Sequence, residues 1–364
     1  MKRRSFLAGG AAAGVAASTL SAPAIAQERH EFTMVTTWPK GLPGLGTSAE
    51  RLASRLETMS EGRIKVNFYA AGELVPPFEC FDAVVGDTAD MMHAAPYYWQ
   101  GNHPALNFMT AAPFGLTTIE HDAWMRYGGG QELWDEVYDQ FGLKGWNAGN
   151  TTSQMGGWFP KKLESLDDIQ GMNFRTAGLG GEAWRRVGMN VQTTPGGEIF
   201  QALQAGTLDA AEWVGPWNDL ALGLYQIHKH YHYPSLIEPT AGLEFTVSKS
   251  RLSALPKDLQ MIFEVAAQSE NGLVTSEFYF QNKQALDTLI SEHGVQLHRF
   301  PDDIIEGMGR ASAEVVAEIA EHDDVSRRVV ESLAAFRSDS VEWTTVAEQA
   351  FGQARGLDIP YPAS

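Results

Sequence analysis

The 364-residue chain has a single cysteine, Cys80. One thiol forms no intrachain disulfide and no cysteine metal cluster, so Cys80 reads as a small core residue. Basic residues are also scarce: 27 Lys and Arg face 45 Asp and Glu, a net charge of −18. Three of the basic residues, Lys2, Arg3 and Arg4, lie in the first 26 positions, which hold no acid. The remainder therefore carries 24 basic against 45 acidic groups, or −21. A chain this acidic is repelled by phosphate backbones and anionic lipid, which excludes nucleic acid and a charged membrane surface as partners. After residue 26 no stretch reaches the ~18 consecutive apolar residues of a membrane-spanning helix. Nucleophile elbow, phosphate loop and zinc-protease helix are missing as well. Gly178-Leu179-Gly180-Gly181 lacks the last glycine and the strand–helix–strand setting of a dinucleotide fingerprint.

What is present is a folded chain with an export signal. A hydrophobic content of 44% with 10% aromatics excludes disorder, and the length fits two domains or one domain of two lobes. Lys2-Arg3-Arg4 is a positive start, Phe6 to Leu20 an apolar run rich in Ala and Gly, and Ala24-Ile25-Ala26 a small-residue cleavage site. Arg3-Arg4-Ser5-Phe6-Leu7 is similar to a twin-arginine signal, whose cargo crosses the membrane folded. Residues 1–26 are therefore expected to be a signal peptide, and the mature protein to be periplasmic.

The mature chain starts with alternating patterns. Glu31 to Thr37 is strand-like and ends in the loop Trp38-Pro39-Lys40. Thr47 to Ser60 places Ala49, Leu52, Ala53, Leu56 and Met59 at helical spacing, and Arg63 to Tyr69 alternates polar and apolar residues as a half-buried strand does. This order predicts a doubly wound α/β lobe. A second such set follows near residues 143–213, and the C-terminal third is helical in pattern. Glu79–Trp99 also matches Glu198–Asn218 at an offset of 119: Glu79, Phe81, Ala83, Thr88 and Asp90 coincide with Glu198, Phe200, Ala202, Thr207 and Asp209. Two similar α/β lobes facing one another follow from that match, with His93–Tyr98 and Glu212–Trp217 projecting from strand ends into the cleft between them.

The densest polar and aromatic region is residues 146–218. Gly149, Gly156 and Gly157 allow backbone to approach a ligand, while Asn150 and Gln154 supply amide donors and acceptors. Gly171 leads into a short strand ending at Arg175, whose planar fork suits a carboxylate. Glu212 sits between an apolar strand and a Trp/Gly/Pro loop. With Gln154 it offers hard oxygens for Na⁺ or Ca²⁺, or pairs only with a neighbouring Arg. His228, His230 and His232 alternate, so a strand would put them on one face, as zinc ligands or as a surface or lobe-linking strand.

At these residues the chain resembles the extracytoplasmic solute-binding subunits of TRAP transporters (tripartite ATP-independent periplasmic transporters). The likeness covers most of residues 31–345 and is carried by Ala70-Ala71-Gly72-Glu73-Leu74, Ser165–Arg175 and Gly197–Glu212. Gln154–Phe159 and Glu212–Pro216 are similar to the family's 2-oxoacid-binding branch. The resemblance implies a type II periplasmic-binding-protein fold: two α/β lobes, hinge strands, a central cleft and a long C-terminal helical region. Lobe I takes residues 27–149 and about 241–290, lobe II 150–240 and about 291–364. It further implies a non-enzymatic protein with no organic cofactor. Arg175 grips the ligand carboxylate and Asn150 hydrogen-bonds the ligand. Gln154, Glu212, Glu238 and a main-chain oxygen of Trp213 hold one cation, Na⁺ or Ca²⁺, and Tyr98, Phe174 and Glu238 line the pocket. The ligand would be a small 2-oxoacid, the partners TRAP permease subunits, and Val341–Ala354 could serve a homodimer. Tyr97–Gln100 and Pro239-Thr240 depart from the branch pattern, which leaves a 2-hydroxy or aromatic carboxylate as an alternative. From a different class, an exported metal-dependent hydrolase or lyase with Glu212 as base also fits the bare residues.

Overall fold

The computed structural model describes residues 28–358; the signal-like segment 1–26 lies outside them. Strands β1 (His30–Thr36), β2 (Ile64–Tyr69), β3 (Met91–Ala94) and β4 (Leu143–Asn150) are followed by β5 (Gly157–Phe159), β6 (Asn173–Arg175), β7 (Asn190–Gln192), β8 (Ala210–Ala211) and β9 (His230–Tyr233). Then come β10 (Gly242–Ser248) and β11 (Gln296–Arg299). They form a five-stranded sheet of order β2-β1-β3-β10-β4 and a six-stranded sheet of order β11-β9-β5-β8-β6-β7. β1, β2 and β3 are parallel, as are β6, β7 and β8. Each triplet is the parallel unit expected from the alternation, with helices packed on its strands. Phe32, Met34 and Val35 are consequently all buried although they are near neighbours on β1.

The chain passes between the sheets more than once. β4 leaves the first sheet at Asn150 and reaches β5 of the second through residues 151–156; β9 returns to β10 through 234–241. β4 and β10 are antiparallel with Gly242 opposite Asn150, so the two crossings run side by side. Thr151 N–H donates to Ala241 O (3.1 Å) and Ser235 N–H to Gln154 O (3.3 Å). The third crossing is the helix Lys257–Ser291, which packs on β4 and on the helix Pro216–Leu222 and so braces both lobes. Among the described residues no helix is long and apolar enough to cross a membrane.

The 119-residue match is reproduced bond by bond. Thr88 and Ala89 N–H both donate to Ala83 O, and Thr207 and Leu208 N–H both donate to Ala202 O. Asp90 then exchanges two bonds with Thr33, one from its N–H to Thr33 O (2.9 Å) and one from Thr33 N–H to Oδ2 (2.7 Å). Asp209 does the same with Asn173, at 2.8 Å each way. In each lobe the Thr-x-Asp turn thus ties a helix–strand junction to the neighbouring parallel strand. At the far end of β3, buried His93 accepts a hydrogen bond from Trp38 Nε1 (2.9 Å), which fixes the loop after β1.

Two outcomes follow. Asp209→Ala strands the Asn173 N–H at the start of β6 and should cost about 1–2 kcal/mol, with Asp209→Asn largely neutral, as read by thermal unfolding. Burial lowers the His93 pKa from 6.5 to about 4. Between those values the unfolded chain binds a proton that the folded one refuses, so the contribution of His93 is complete above pH 6.5 and is lost as pH falls to 4. Stability measured against His93→Gln should drop by about 1.4 kcal/mol per pH unit across that window and be flat above pH 7.

Candidate functional site

Arg175 ends β6, where side chains alternate between faces. Phe174 therefore points away from the cleft, its ring against Phe159 and Trp184 (centroids 5.6 Å each) in the core. The expectation that Phe174 lines the pocket is corrected on that ground. Arg175 turns the other way and is 1% exposed. Its Nε donates to Thr194 O (3.0 Å), its Nη1 to Glu212 O (2.8 Å), and its guanidinium lies on the Trp213 ring, 4.7 Å from the centroid. Two carbonyls and a ring thus fix the fork, while Nη2 is buried without a hydrogen-bond partner among the described residues.

Around that fork stand buried oxygens in the same condition. Glu212 accepts from Thr176 Oγ1 at Oε2 (3.1 Å) and lies 3.9 Å from Arg175 Nη1, but its Oε1 has no partner. Both oxygens of Glu238 and the Oε1 of Gln154 are equally unpartnered, the Gln154 amide nitrogen being bound to Thr151 Oγ1 (2.9 Å). Burial pushes the Glu212 carboxyl well above its ordinary range, reinforced by Glu238 and opposed by Arg175. Glu238 is pushed up to about 8 by burial, against the pull of Arg175 and Gln154. Carboxylates left so are costly, and a hard cation with oxygen ligands is the group this donor set fits. The free edge of Arg175 fits a carboxylate.

Asn150 has its acceptor already occupied: Oδ1 takes Thr152 N–H (2.8 Å) and Thr240 Oγ1 (2.7 Å). Only its amide hydrogens remain, so toward a ligand Asn150 is a donor. Trp213 is 3% exposed with an unpartnered Nε1. The 212–218 loop that carries it is pinned by Asp219, which accepts from Tyr231 OH (2.6 Å), Trp158 Nε1 (2.8 Å) and Val214 N–H (3.3 Å). Burial still raises Asp219 to about 6. Half-buried Tyr98 stacks on Tyr97 (4.6 Å) and meets Phe78 (4.8 Å) and Trp38 (6.0 Å). Burial raises its hydroxyl pKa, while Arg175 pulls it down. The orienting roles of Thr151, Thr176, Thr240 and Asp219 were not legible in the linear chain. Each works by orienting a neighbour in space, and no local pattern marks that.

The glycines give close approach between protein segments. A Cβ at Gly149 would strike Val274 and Leu243, one at Gly156 would strike Phe300, and one at Gly157 (φ +117°) would strike Ala211 O. These approaches lie where the chain crosses between the two sheets. Of the alternating histidines, His228 lies before β9 and bonds Asp209 O, while His230 and His232 share a face against His298 (ring centroids 5.1 and 5.2 Å); His230 bonds His298 (2.9 Å) and His232 accepts Leu163 N–H (3.1 Å). His103, His322 and Asp323 lie close together. There His103 Nδ1 accepts Ala105 N–H, which puts the proton on Nε2 and toward Asp323 (3.0 Å). A metal-bound imidazole donates from its second nitrogen, so this group is a tether to the Asp323-capped helix. A cavity of about 1010 Å³ between residues 117–122 and the long helix reaches the hinge at Asn150 and Thr152.

Residues 34–323 match the family model described as bacterial extracellular solute-binding protein, family 7. The chain is 38% identical over 320 residues to a monocarboxylate 2-oxoacid-binding periplasmic protein of Nostoc sp. strain PCC 7120, covering 88% of this chain and 87% of that one. A TRAP transporter solute-binding protein of Bordetella bronchiseptica, with calcium and picolinate in its site, superposes with a TM-score of 0.88 at 32% identity, over 90% of this chain and 97% of its own. One from Pseudoalteromonas atlantica with bound sodium and pyruvate gives 0.87 at 33% identity, over 90% and 99%. The chain belongs to the bacterial extracellular solute-binding protein family 7, the solute-binding subunits of TRAP transporters, which are transport receptors and not enzymes.

Proposed function

We propose that this protein captures a small 2-oxoacid of the pyruvate type, together with one sodium or calcium ion, for delivery to TRAP permease subunits. The observation that carries the reading is the set of buried, unpartnered atoms: Arg175 Nη2 on one side, and Gln154 Oε1, Glu212 Oε1 and the Glu238 carboxyl on the other. One guanidinium facing two carboxylates and an incoming acid leaves an excess of negative charge. A cation held by Gln154, Glu212, Glu238 and the Trp213 carbonyl offsets it. When bound, that ion supplies a Lewis-acid contact for adjacent carboxylate and 2-oxo oxygens, which plain acids lack. Arg175 takes the ligand carboxylate at its free edge, and Asn150 donates to it.

A 2-hydroxy or aromatic acid remains the second reading. The Tyr98–Phe78 pair beside Arg175 supports it, as does the picolinate of the Bordetella relative. Export by the twin-arginine route is supported by Arg3-Arg4 and the cleavage triplet. Exposed Trp343, Val346, Phe351 and Leu357 support a second copy of this chain as a partner, which sedimentation of the purified protein reads directly.

Protein stripped by unfolding and refolding should bind pyruvate saturably in calorimetry, and only with Na⁺ or Ca²⁺ present. Arg175→Lys, which loses the fork, should weaken binding at least ~30-fold, and Glu212→Gln should abolish the cation requirement or the binding. Full affinity without any cation would overturn the cation site; no response to any 2-oxoacid would overturn the ligand. For the precursor, Arg3→Lys with Arg4→Lys should leave it uncleaved in the cytoplasm, and normal export would refute the twin-arginine route.

A further inference from the structure

The loop that follows β1 belongs to the first lobe, yet it lies against the second. Trp38 is 2% exposed, and its ring meets Trp213 at 6.3 Å and 72°, an edge-to-face contact. A Cβ on Gly197 would lie 3.4 Å from Pro39, and Asn218 Nδ2 donates to Pro43 O (2.9 Å). Trp213 is confined from another direction too: a Cβ on Gly196 would sit 2.4 Å from its ring, so only glycine leaves it room. The same ring carries the Arg175 guanidinium on its face. A chain of contacts therefore runs from the first lobe to the ligand-binding fork: His93 holds Trp38, Trp38 walls Trp213, and Trp213 stacks Arg175.

We propose that Trp38, with the loop it opens, is a closing latch and a positioning residue: it fixes the Arg175 fork through Trp213 only when the lobes are shut. Resting on the solute-binding reading, the inference adds what holds the closed state. When the lobes part, Trp38 departs with β1 and Trp213 loses one wall. The guanidinium then keeps its carbonyl partners Thr194 and Glu212, which belong to its own lobe, but not a rigid stacking surface. The latch acts after encounter. It sets how long a bound acid stays and leaves the association rate alone.

The test uses the full mature chain, labelled pyruvate with Na⁺ or Ca²⁺, rapid-filtration release, and spin labels at Asp87→Cys and Ala205→Cys to read interlobe distance. Trp38→Leu should release pyruvate about three- to tenfold faster, the worth of an aromatic pair, with association within about twofold of wild type and a larger open fraction in the loaded protein. Trp38→Phe, which keeps a ring edge but not the bond to His93, should fall between. Asn218→Ala, which removes a different contact of the same loop, should shift release in the same direction and serves if Trp38→Leu does not fold. Wild-type release rates and distances in Trp38→Leu and Asn218→Ala would overturn the latch, as would a loss confined to association. If wild type closes on another carboxylate but on no 2-oxoacid, the ligand assignment falls alone, and the same comparison with that acid upholds or overturns the latch. Closure on no carboxylate overturns both.

Discussion

A guanidinium taken out of water is the constraint on which the rest of this structure depends. Arg175 is 1% exposed, so the fold must surround its five N–H donors with acceptors or a charged partner. Two of its donors are met by main-chain oxygens of Thr194 and Glu212, which ties its position to the two strands that flank β6. Its face is met by Trp213, and its field opposes the burial that would otherwise keep Glu212 and Glu238 neutral. What is left over, one N–H edge and a few carboxyl and amide oxygens, is complementary to an anion and a cation together. The proposed function rests on that complementarity, since a receptor that closes on its solute needs groups which the solute itself satisfies.

The polar centre also lies where the chain crosses between the two sheets. β4 and β10 leave and enter the first sheet side by side, and the segments beyond them carry Asn150 and Gln154 on one side and Glu238 and Thr240 on the other. Thr240 orients Asn150, and Ser235 N–H meets Gln154 O, so each crossing holds a binding residue of the other. A change in the angle between lobes must therefore alter the polar centre, and a ligand that fixes the centre fixes the angle. Asp219 does comparable work at one remove, its three hydrogen bonds setting the loop that carries Trp213.

Much of this was legible in the linear chain, for identifiable reasons. Asp90 and Asp209 are visible as a repeat because a Thr-x-Asp turn is local and makes the same bonds wherever it occurs. Arg175, Asn150, Gln154 and Glu212 stand out because polar residues interrupt apolar strand ends in a glycine-rich stretch. Phe174 was placed in the pocket by the family resemblance alone, whereas on the strand it takes the face opposite to Arg175, against Phe159 and Trp184. The glycines at 149, 156 and 157 were read as making room for a ligand. The atoms that need the room, Val274, Phe300 and Ala211 O, come from elsewhere in the chain.

Sequence by itself determined that this is an acidic, two-lobed α/β chain of the solute-binding family, and it singled out Arg175 and the Gln154–Glu212 pair as candidates for an anion and a cation. Those properties are set by residue type, local period and turn chemistry, which act within a few positions of one another. Only the tertiary structure decided which polar atoms remain without partners, that Asn150 can donate but not accept, and that Trp38 from one lobe walls the ring bearing Arg175 in the other. Those facts depend on contacts between residues as far apart as 38 and 213. Such contacts form by burial and hydrogen-bond satisfaction across the whole fold, and no local pattern encodes them.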